Sequence, residues 1–551
     1  MAESRAKALM QRQAALASER STAEGQWQEI AELFTPFRAD FQGRVSTPGE
    51  KRLARVFDGT PGQASENLSS ALWGMLTNAA NVWFELRPRD PALADHQGVK
   101  AWLQRARDRM LASFSAGGQR FYARAVDLYS DLVNFGTGIF YEEEAPAAGG
   151  IYFTCRHLAE CYIAENQFEQ VDTVFRRFRW TARQALQRWS EVAATERGSK
   201  LREAAEHRPD APLCFLHAVL PAADYEGARS LGHGQGWWSV YLSEEDGTIL
   251  SEGGYHEFPY QVPRWSQRSR SVYGDSPAML ALPDAKMLNQ MSRTTIVGAQ
   301  KRVDPPLLAP DESSVRGIRT APGGVIYGGI DPQGRRLYEP LVSGADVGLG
   351  LQMEEQRRLA VREAFYASLL LLANQPGRTA TEVLALQEEK LRLMGPHLGR
   401  VQSEFLDPLI GRVFGILMRA GALPPVPPEL SEAPELDIEY VSPMSRAQRA
   451  GEAVAVMRTI ELAGGMAQID PGVVDNLDAD AAFRIAAEAN GLPATALRGS
   501  EDVAERRQQK EMMQTLMAGA QLAPGVARAT KDLSQAAQNL PQEAMPPEAG
   551  P

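Results

Sequence analysis

The chain has only three cysteines in 551 residues, Cys155, Cys161 and Cys214. That is too few for a disulfide framework, so a reducing site of synthesis is expected. No run approaches the ~20 consecutive apolar residues that a membrane helix needs, so no membrane partner is expected. The opening MAESRAKALMQRQAALASERS lacks the apolar stretch of a signal peptide and reads as a charged helix. Excess positive charge is missing too. The net charge of −11 argues against a protein that coats nucleic acid through a basic surface. It leaves room for one that nucleic acid slides past.

The signatures of catalysis are also absent. There is no G-x-x-x-x-G-K-[ST] to cradle phosphates and no H-E-x-x-H to hold zinc. GHGQG (232–236) opens no helix and reads as a loop. Cys155, His157 and Cys161 put soft ligands close together, but a zinc site needs a fourth partner and a different spacing. Strand alternation placing all three on one face is the plainer reading. Gly274-Asp275-Ser276-Pro277-Ala278 resembles a nucleophile elbow loosely, but its last glycine is alanine and Pro277 is at home at a helix start. No catalytic residue, metal or cofactor is assigned. A hydrolase using Ser276 stays open as an alternative.

What is present is a chain that is 44% hydrophobic and 23% charged, enough to build a core over most of its length. Helical spacing runs over residues 1–35 (Leu9, Leu16, Trp27, Ile30, Phe34) and ends at Pro36. Thr60 as N-cap and Pro61 start a second helix with the stripe Leu68, Ala71, Leu72, Met75, Leu76. A short strand follows in NVWFELRPRD, then helices over 97–116 and 119–135. Residues 139–265 read mostly as strands: IFYEEE, GIYFTCRHL, CYIAEN, VDTVFRRFRW, and a hairpin from Trp237 to Ser251 turning at Asp246-Gly247. One helix, TARQALQRWSEVAA, interrupts them with Thr181 as its cap. The fold class is α+β, mainly helical.

The second half is organised differently. Residues 276–303 form a long helical pattern. A Pro- and Gly-rich stretch, 304–352, follows, with a hairpin around Asp331–Gly334. A helix returns from Met353 to Leu372, with apolar Leu359, Val361, Phe365, Tyr366, Leu369 and Leu372. Pro376-Gly377 break it, and Thr379 with Glu382 form a capping box that restarts a long helix to about Gly421. A proline-rich loop, the strand LDIEYV and further helices follow, and the last 30 or so residues read as a loosely ordered tail.

An ordered set of these segments resembles the portal (head-to-tail connector) proteins of short-tailed phages. The segments are RVFDGTPGQASENLSSALWGMLTNAANVWFEL (55–86), NFGTGIFYEEE (134–144), VDTVFRRFRWTARQA (171–185), VYGDSPAMLALPDAKMLNQM (272–291) and, most specifically, PGRTATEVLALQEEKLRLMGPHLGRVQSEFLDPLIGRVFGILMRAG (376–421) with Glu404 and the Pro408-Leu-Ile run. The resemblance implies the portal fold: a wing (1–275), a first stem helix (276–303), a clip (304–352), a second stem helix (353–372), a channel loop (373–379), a further wing helix (380–436), a crown (437–500) and a C-terminal barrel or tail (501–551). It also implies a dodecameric ring with a central channel at one capsid vertex, without catalysis or cofactor. The expected partners are double-stranded viral DNA, the terminase large subunit, head–tail adaptor or tail tube proteins, major capsid and scaffolding proteins, and internal core or ejection proteins. The expected location is the virion, after synthesis in the host bacterial cytoplasm.

The resemblance places Asn374, Gln375 and Arg378 at the tip of the channel loop. Lys301, Arg302, Arg357, Arg358 and Arg362 are further channel candidates, each open also to reading as a surface residue or an ion-pair partner of Glu354, Glu355 or Glu363. In the clip, Arg316, Arg319, Arg335, Arg336 and Tyr338 are candidates for terminase or adaptor binding. A conduit should be slippery, because every neutralised phosphate adds binding; an acidic chain with sparse cationic rings suits it. A different ring-forming head or scaffold protein is the other alternative.

Overall fold

The computed structural model describes residues 2–41, 47, 49–93, 96–115, 120–145, 150–195, 198–225, 234–308, 325, 327, 329–341, 347–371, 392–430, 436–440, 443–466, 472, 477–489, 492, 496–498 and 502–514. They divide into two compact units. The first comprises Met1–Phe84, Asp108–Leu423 and Tyr440–Ser445; the second comprises Glu85–Arg107, Pro424–Glu439 and Arg446–Pro551.

The centre of the first unit is a five-stranded antiparallel sheet in the order β4-β5-β6-β7-β8, from Cys161–Glu165, Val171–Thr181, Pro212–Pro221, Trp237–Ser243 and Ile249–Tyr255. Alternation along the strands sends side chains to two faces, and both faces are covered. Leu216, Ala218 and Leu220 join Trp238, Val240 and Leu242 beneath Leu9, Met10, Leu16 and Ala17 of α1 (Ala2–Phe34). The opposite face brings Phe178, Phe215 and Leu250 against Ala185, Trp189, Ala193 and Leu201. These come from α5 (Ala182–Arg188), α6 (Ser190–Ala193) and α7 (Ser199–His207). A strand buried on both faces shows no polar alternation. For that reason the central strand, β6, escapes a reading based on alternation.

A second, three-stranded sheet pairs β2 (Ile139–Ala145) with β3 (Gly150–Arg156) and with β9 (Tyr260–Gln261). Helices α2 (Thr60–Leu76) and α4 (Phe121–Phe135) complete the body, with Leu68, Leu72, Leu128, Leu132 and Phe135 fully buried. Two further helices leave this body: α8 (Pro277–Val303) and α9 (Val347–Ala364) pack antiparallel. Between them, Leu307–Leu308 (β10) pairs with Glu339–Pro340 (β11), and Ile330 bridges Arg336 around a turn closed by Asp331 and Gly334. The second unit contains most of β1 (Phe84–Pro88) and of its partner β12 (Leu436–Tyr440), together with most of the helix Pro443–Met466 and the helix Ala479–Ala489. In it the Trp102 indole donates to the Pro424 carbonyl at 3.0 Å.

Several expectations change. Thr60 is not the cap of α2 but its first residue. The Asp58 carboxylate accepts from the Thr60 amide at 2.8 Å and takes over the capping. Thr181 does cap α5, in a reciprocal capping box with Gln184, but that helix stops at Trp189 and restarts. Cys155 lies in β3 while Cys161 starts β4, so they belong to different sheets and the one-face reading of Cys155, His157 and Cys161 fails. The second long helix starts at Val347, not Met353, and does not run unbroken to Leu372. It ends at Ala364, turns at Phe365 and Tyr366, and resumes as α10 (Ala367–Leu371). The Pro376-Gly377 break and the Thr379–Glu382 box lie outside the described residues.

The helical stretch 392–419 is not uniform either. Gln402–Leu406 forms a π turn before α11 (Asp407–Arg419), and the Asp407 amide bonds the Gln402 carbonyl five residues back. Pro408 explains it. Proline lacks the amide hydrogen, and its ring crowds the carbonyl four residues earlier, here that of Glu404. Widening the turn by one residue relieves both problems.

Candidate functional site: an anchored helix pair

The α8–α9 pair is held to the body at its base by two segments that the sequence singled out separately. Gly136, in the left-handed conformation at φ 76°, caps the end of α4. Gly274 lies against it, and the Gly274 amide donates to the Thr137 hydroxyl at 2.9 Å. Two residues on, Ser276 caps α8. Its hydroxyl accepts from the Met279 amide at 3.0 Å and donates to the Asn134 carbonyl at 2.7 Å. Ser276 is therefore buried and committed to holding a helix, and among the described residues no histidine is bonded to it.

A second anchor is Arg264, nearly fully buried. Its backbone amide donates to Glu404 at 2.8 Å, and its guanidinium bonds Glu404 at 2.9 Å, Glu165, and the Glu169 carbonyl at 2.8 Å. Arg400 adds a 3.1 Å bond to Glu404. One guanidinium thus joins the π turn to the β4–β5 hairpin, and its fork geometry is what makes several simultaneous bonds possible.

Along the pair, the cations proposed from the sequence divide by environment. Arg357 bonds Asp284 at 2.8 Å and ties α9 to α8. Arg358 bonds Asp58 at 2.9 Å and Glu354 at 2.9 Å, fastening α9 to the loop before α2. Burial alone would push the Asp58 carboxyl up. Hydrogen bonds from Thr60 and Arg358 outweigh it and hold Asp58 below the usual carboxylate range. Arg362 reaches Glu355 at 3.5 Å. Lys301 and Arg302, in the last turn of α8, are exposed and form no ion pair with another described residue. That position suits cations, since the unpaired carbonyls of a helix end carry negative potential.

In the insert, Arg335 bonds Asp331 at 2.8 Å, Arg336 is exposed and Tyr338 is half-buried. Arg316, Arg319, Asn374, Gln375 and Arg378 lie outside the described residues. Asp58, Asp284 and Arg264 were not picked out from the sequence. For Asp58 a signal existed, an aspartate directly before a Gly-Thr-Pro helix start; for Arg264 there was none, because Glu165, Glu169 and Glu404 lie about 95–140 positions away.

The chain can be compared with known proteins on this geometry. A family model described as "Bacteriophage head to tail connecting protein" matches residues 6–497. The chain is 30% identical over 536 residues to a "Probable portal protein" of Bordetella phage BPP-1, covering 95% of both chains. It is 28% identical over 541 residues to a "Portal protein" of Salmonella phage epsilon15, again covering 95% of both. The helix pair, its glycine junction and the Glu404 turn all fall inside the matched region, and the chain belongs to the bacteriophage head-to-tail connecting, or portal, proteins.

Proposed function

We propose that the chain assembles as a closed dodecameric ring at the unique vertex of a phage head, with the α8–α9 pairs forming the wall of a channel. The observation that carries this reading is the apolar surface the pair leaves uncovered. Leu280, 75% exposed, and Met287 lie two turns apart on α8, and Leu349, Met353 and Leu359 lie on α9. Two packed helices leave such surface bare when lateral neighbours cover it, and a heterologous contact that repeats around an axis closes into a ring. Leu359, one of the apolar residues noted in the sequence of this helix, is among them.

In that ring one residue becomes a circle of copies. Lys301 and Arg302 are the best placed of the channel candidates, since Arg357, Arg358 and Arg362 are engaged within the chain. Asn374, Gln375 and Arg378 remain proposed for the channel loop, and Arg316, Arg319, Arg335, Arg336 and Tyr338 for docking of the terminase and then the tail adaptor at the clip. Double-stranded DNA would pass in during packaging and out during ejection. Capsid, scaffolding and internal core proteins would meet the body, and synthesis would take place in the host cytoplasm.

Native mass spectrometry and negative-stain imaging of the purified chain test the reading. Rings with a central hole are expected, and Leu280→Glu with Met353→Glu should convert them to folded monomers. A monomer at every salt and protein concentration would overturn it. The hydrolase alternative gains nothing from Ser276, whose hydroxyl is spent as a cap.

A further inference from the structure

From Leu351 to Ala373 the sequence contains no glycine or proline. Every residue in this run is compatible with one continuous helix. The chain nevertheless breaks at Phe365–Tyr366, and Tyr366 sits at φ 58°. That left-handed conformation is disfavoured for any side chain with a Cβ, more so for a bulky one. Nothing local requires the bend, so contacts from elsewhere in the fold must hold it.

Those contacts can be named. Phe365 is fully buried, with its ring 5.6 Å from that of Phe34. The Tyr366 hydroxyl and His397 Nε2 are 3.3 Å apart, and His397 Nδ1 is 3.0 Å from the Trp265 carbonyl. A carbonyl only accepts, so Nδ1 carries the hydrogen; in the neutral ring Nε2 then accepts from Tyr366. The His397 ring also stacks on Trp265, 4.4 Å away and 11° from parallel. Trp265 is fixed in turn, since its amide donates to the Gly136 carbonyl at 2.9 Å.

Beyond the bend, α10 lies along α2 with an open cleft beside it. The cleft, 380 Å³ and open to solvent, is lined by Thr60, Gln63, Asn67, Arg362, Phe365 and Leu370 among others. At the bend itself, the Phe365 and Tyr366 amides bond carbonyls only three residues back, those of Arg362 and Glu363. A rotation of Tyr366 into the right-handed region would set the amides after it in line with the carbonyls of α9, and with the tight turn before it relaxed to bonds four residues back, α10 would join α9 in one helix.

We propose that Phe365–Tyr366 is a two-state joint. In one state α10 is bent over α2 and clasped by Tyr366, His397 and Trp265; in the other it continues α9 as a straight helix. Backbone strain at Tyr366 opposes the bent state, while the clasp and the Phe365 anchor support it. Opposed contributions of similar size are what a bistable element requires. The joint is a property of the single chain and does not depend on the ring.

The test is a distance measurement by pulsed electron paramagnetic resonance on the full chain. Spin labels go on Asn67→Cys and Ser368→Cys, with Cys155→Ser and Cys214→Ser to remove the two half-buried native thiols. Tyr366→Phe deletes only the hydroxyl of the clasp, and His397→Ala deletes its partner. Each should lower the population at the short, bent distance relative to a longer one by about fivefold, the effect of losing one ordinary hydrogen bond. A wild-type chain already showing two distances, or one showing the second only in the variants, supports the joint. One narrow distance unmoved by Tyr366→Phe, or two distances whose ratio neither variant changes, overturns it. Amide exchange across 365–371 gives a label-free check: Tyr366→Phe should alter protection there and leave α2 unchanged.

Discussion

Gly136 and Gly274 lie back to back, so close that a Cβ on either would fall well inside contact distance of the other's carbonyl oxygen. Gly136→Ala also has to sustain a φ of 76°, and at both positions the obstacle is backbone, which cannot rotate away. Either substitution should destabilise the first unit by roughly 3 kcal/mol in urea unfolding. Gly399→Ala is the control. It lies in a helical stretch with nothing near its would-be Cβ and should be neutral or stabilising by up to about 1 kcal/mol.

Removing Arg264 leaves Glu404 and Glu165 facing each other's surroundings without their shared cation. Arg264→Ala should cost about 3–5 kcal/mol, the range for breaking a buried ion pair from one side. Arg264→Lys should recover little, because an ammonium cannot make the same forked set of bonds. Equal stability of the Lys variant and the wild type in urea would show that the fork does not matter.

His157 makes stability depend on pH. Its Nδ1 accepts from the Ala159 amide at 3.0 Å and its Nε2 lies 3.0 Å from the Arg38 carbonyl, so the ring is neutral with the hydrogen on Nε2. Burial, and then repulsion from Arg38, lowers its pKa to about 4. The unfolded chain therefore binds this proton first as pH falls. The stabilisation is complete above about pH 6.5 and is lost progressively between pH 6.5 and pH 4, amounting to at most about 3 kcal/mol. Replacing His157 with Gln should flatten that part of the urea midpoint against pH.

Lys301 and Arg302 are exposed, so Lys301→Ala with Arg302→Ala should change stability by no more than about 0.5 kcal/mol. Ring assembly should survive. DNA content of filled heads, or the salt dependence of DNA retention, should change. Normal filling and retention at all ionic strengths would remove these two residues from the channel.

Much of the fold was legible because the signals were local. Proline at 36, the Thr181 box and the Asp246-Gly247 turn each act within a few residues. So does the Ser276-Pro277 start of α8. What was missed was decided at a distance. β6 shows no alternation because α1 covers one of its faces and α5–α7 cover the other. The bend at Tyr366 has no breaker in its own sequence, since Phe34, Trp265 and His397 impose it. At the site, the cations on α8 and α9 were visible as residue types, but only the partners Asp58 and Asp284 separate those that brace the chain from those left free.

The wide turn at Gln402–Leu406 also fixes the phase of everything after it. A π turn is one residue more than the helix needs, and each residue of an α-helix turns by about 100°. Deleting one residue there, with Pro408 changed to Ala to permit an ordinary turn, would leave a straighter and locally more regular helix. It would also rotate α11 by that angle relative to residues 392–401. Arg412, which now donates to the Glu257 carbonyl at 2.8 Å and lies 3.9 Å from the buried Glu142, would turn away from both. The irregular turn therefore acts as a spacer: it lets Glu404 at one end and Arg412 at the other address the same body from a single helix.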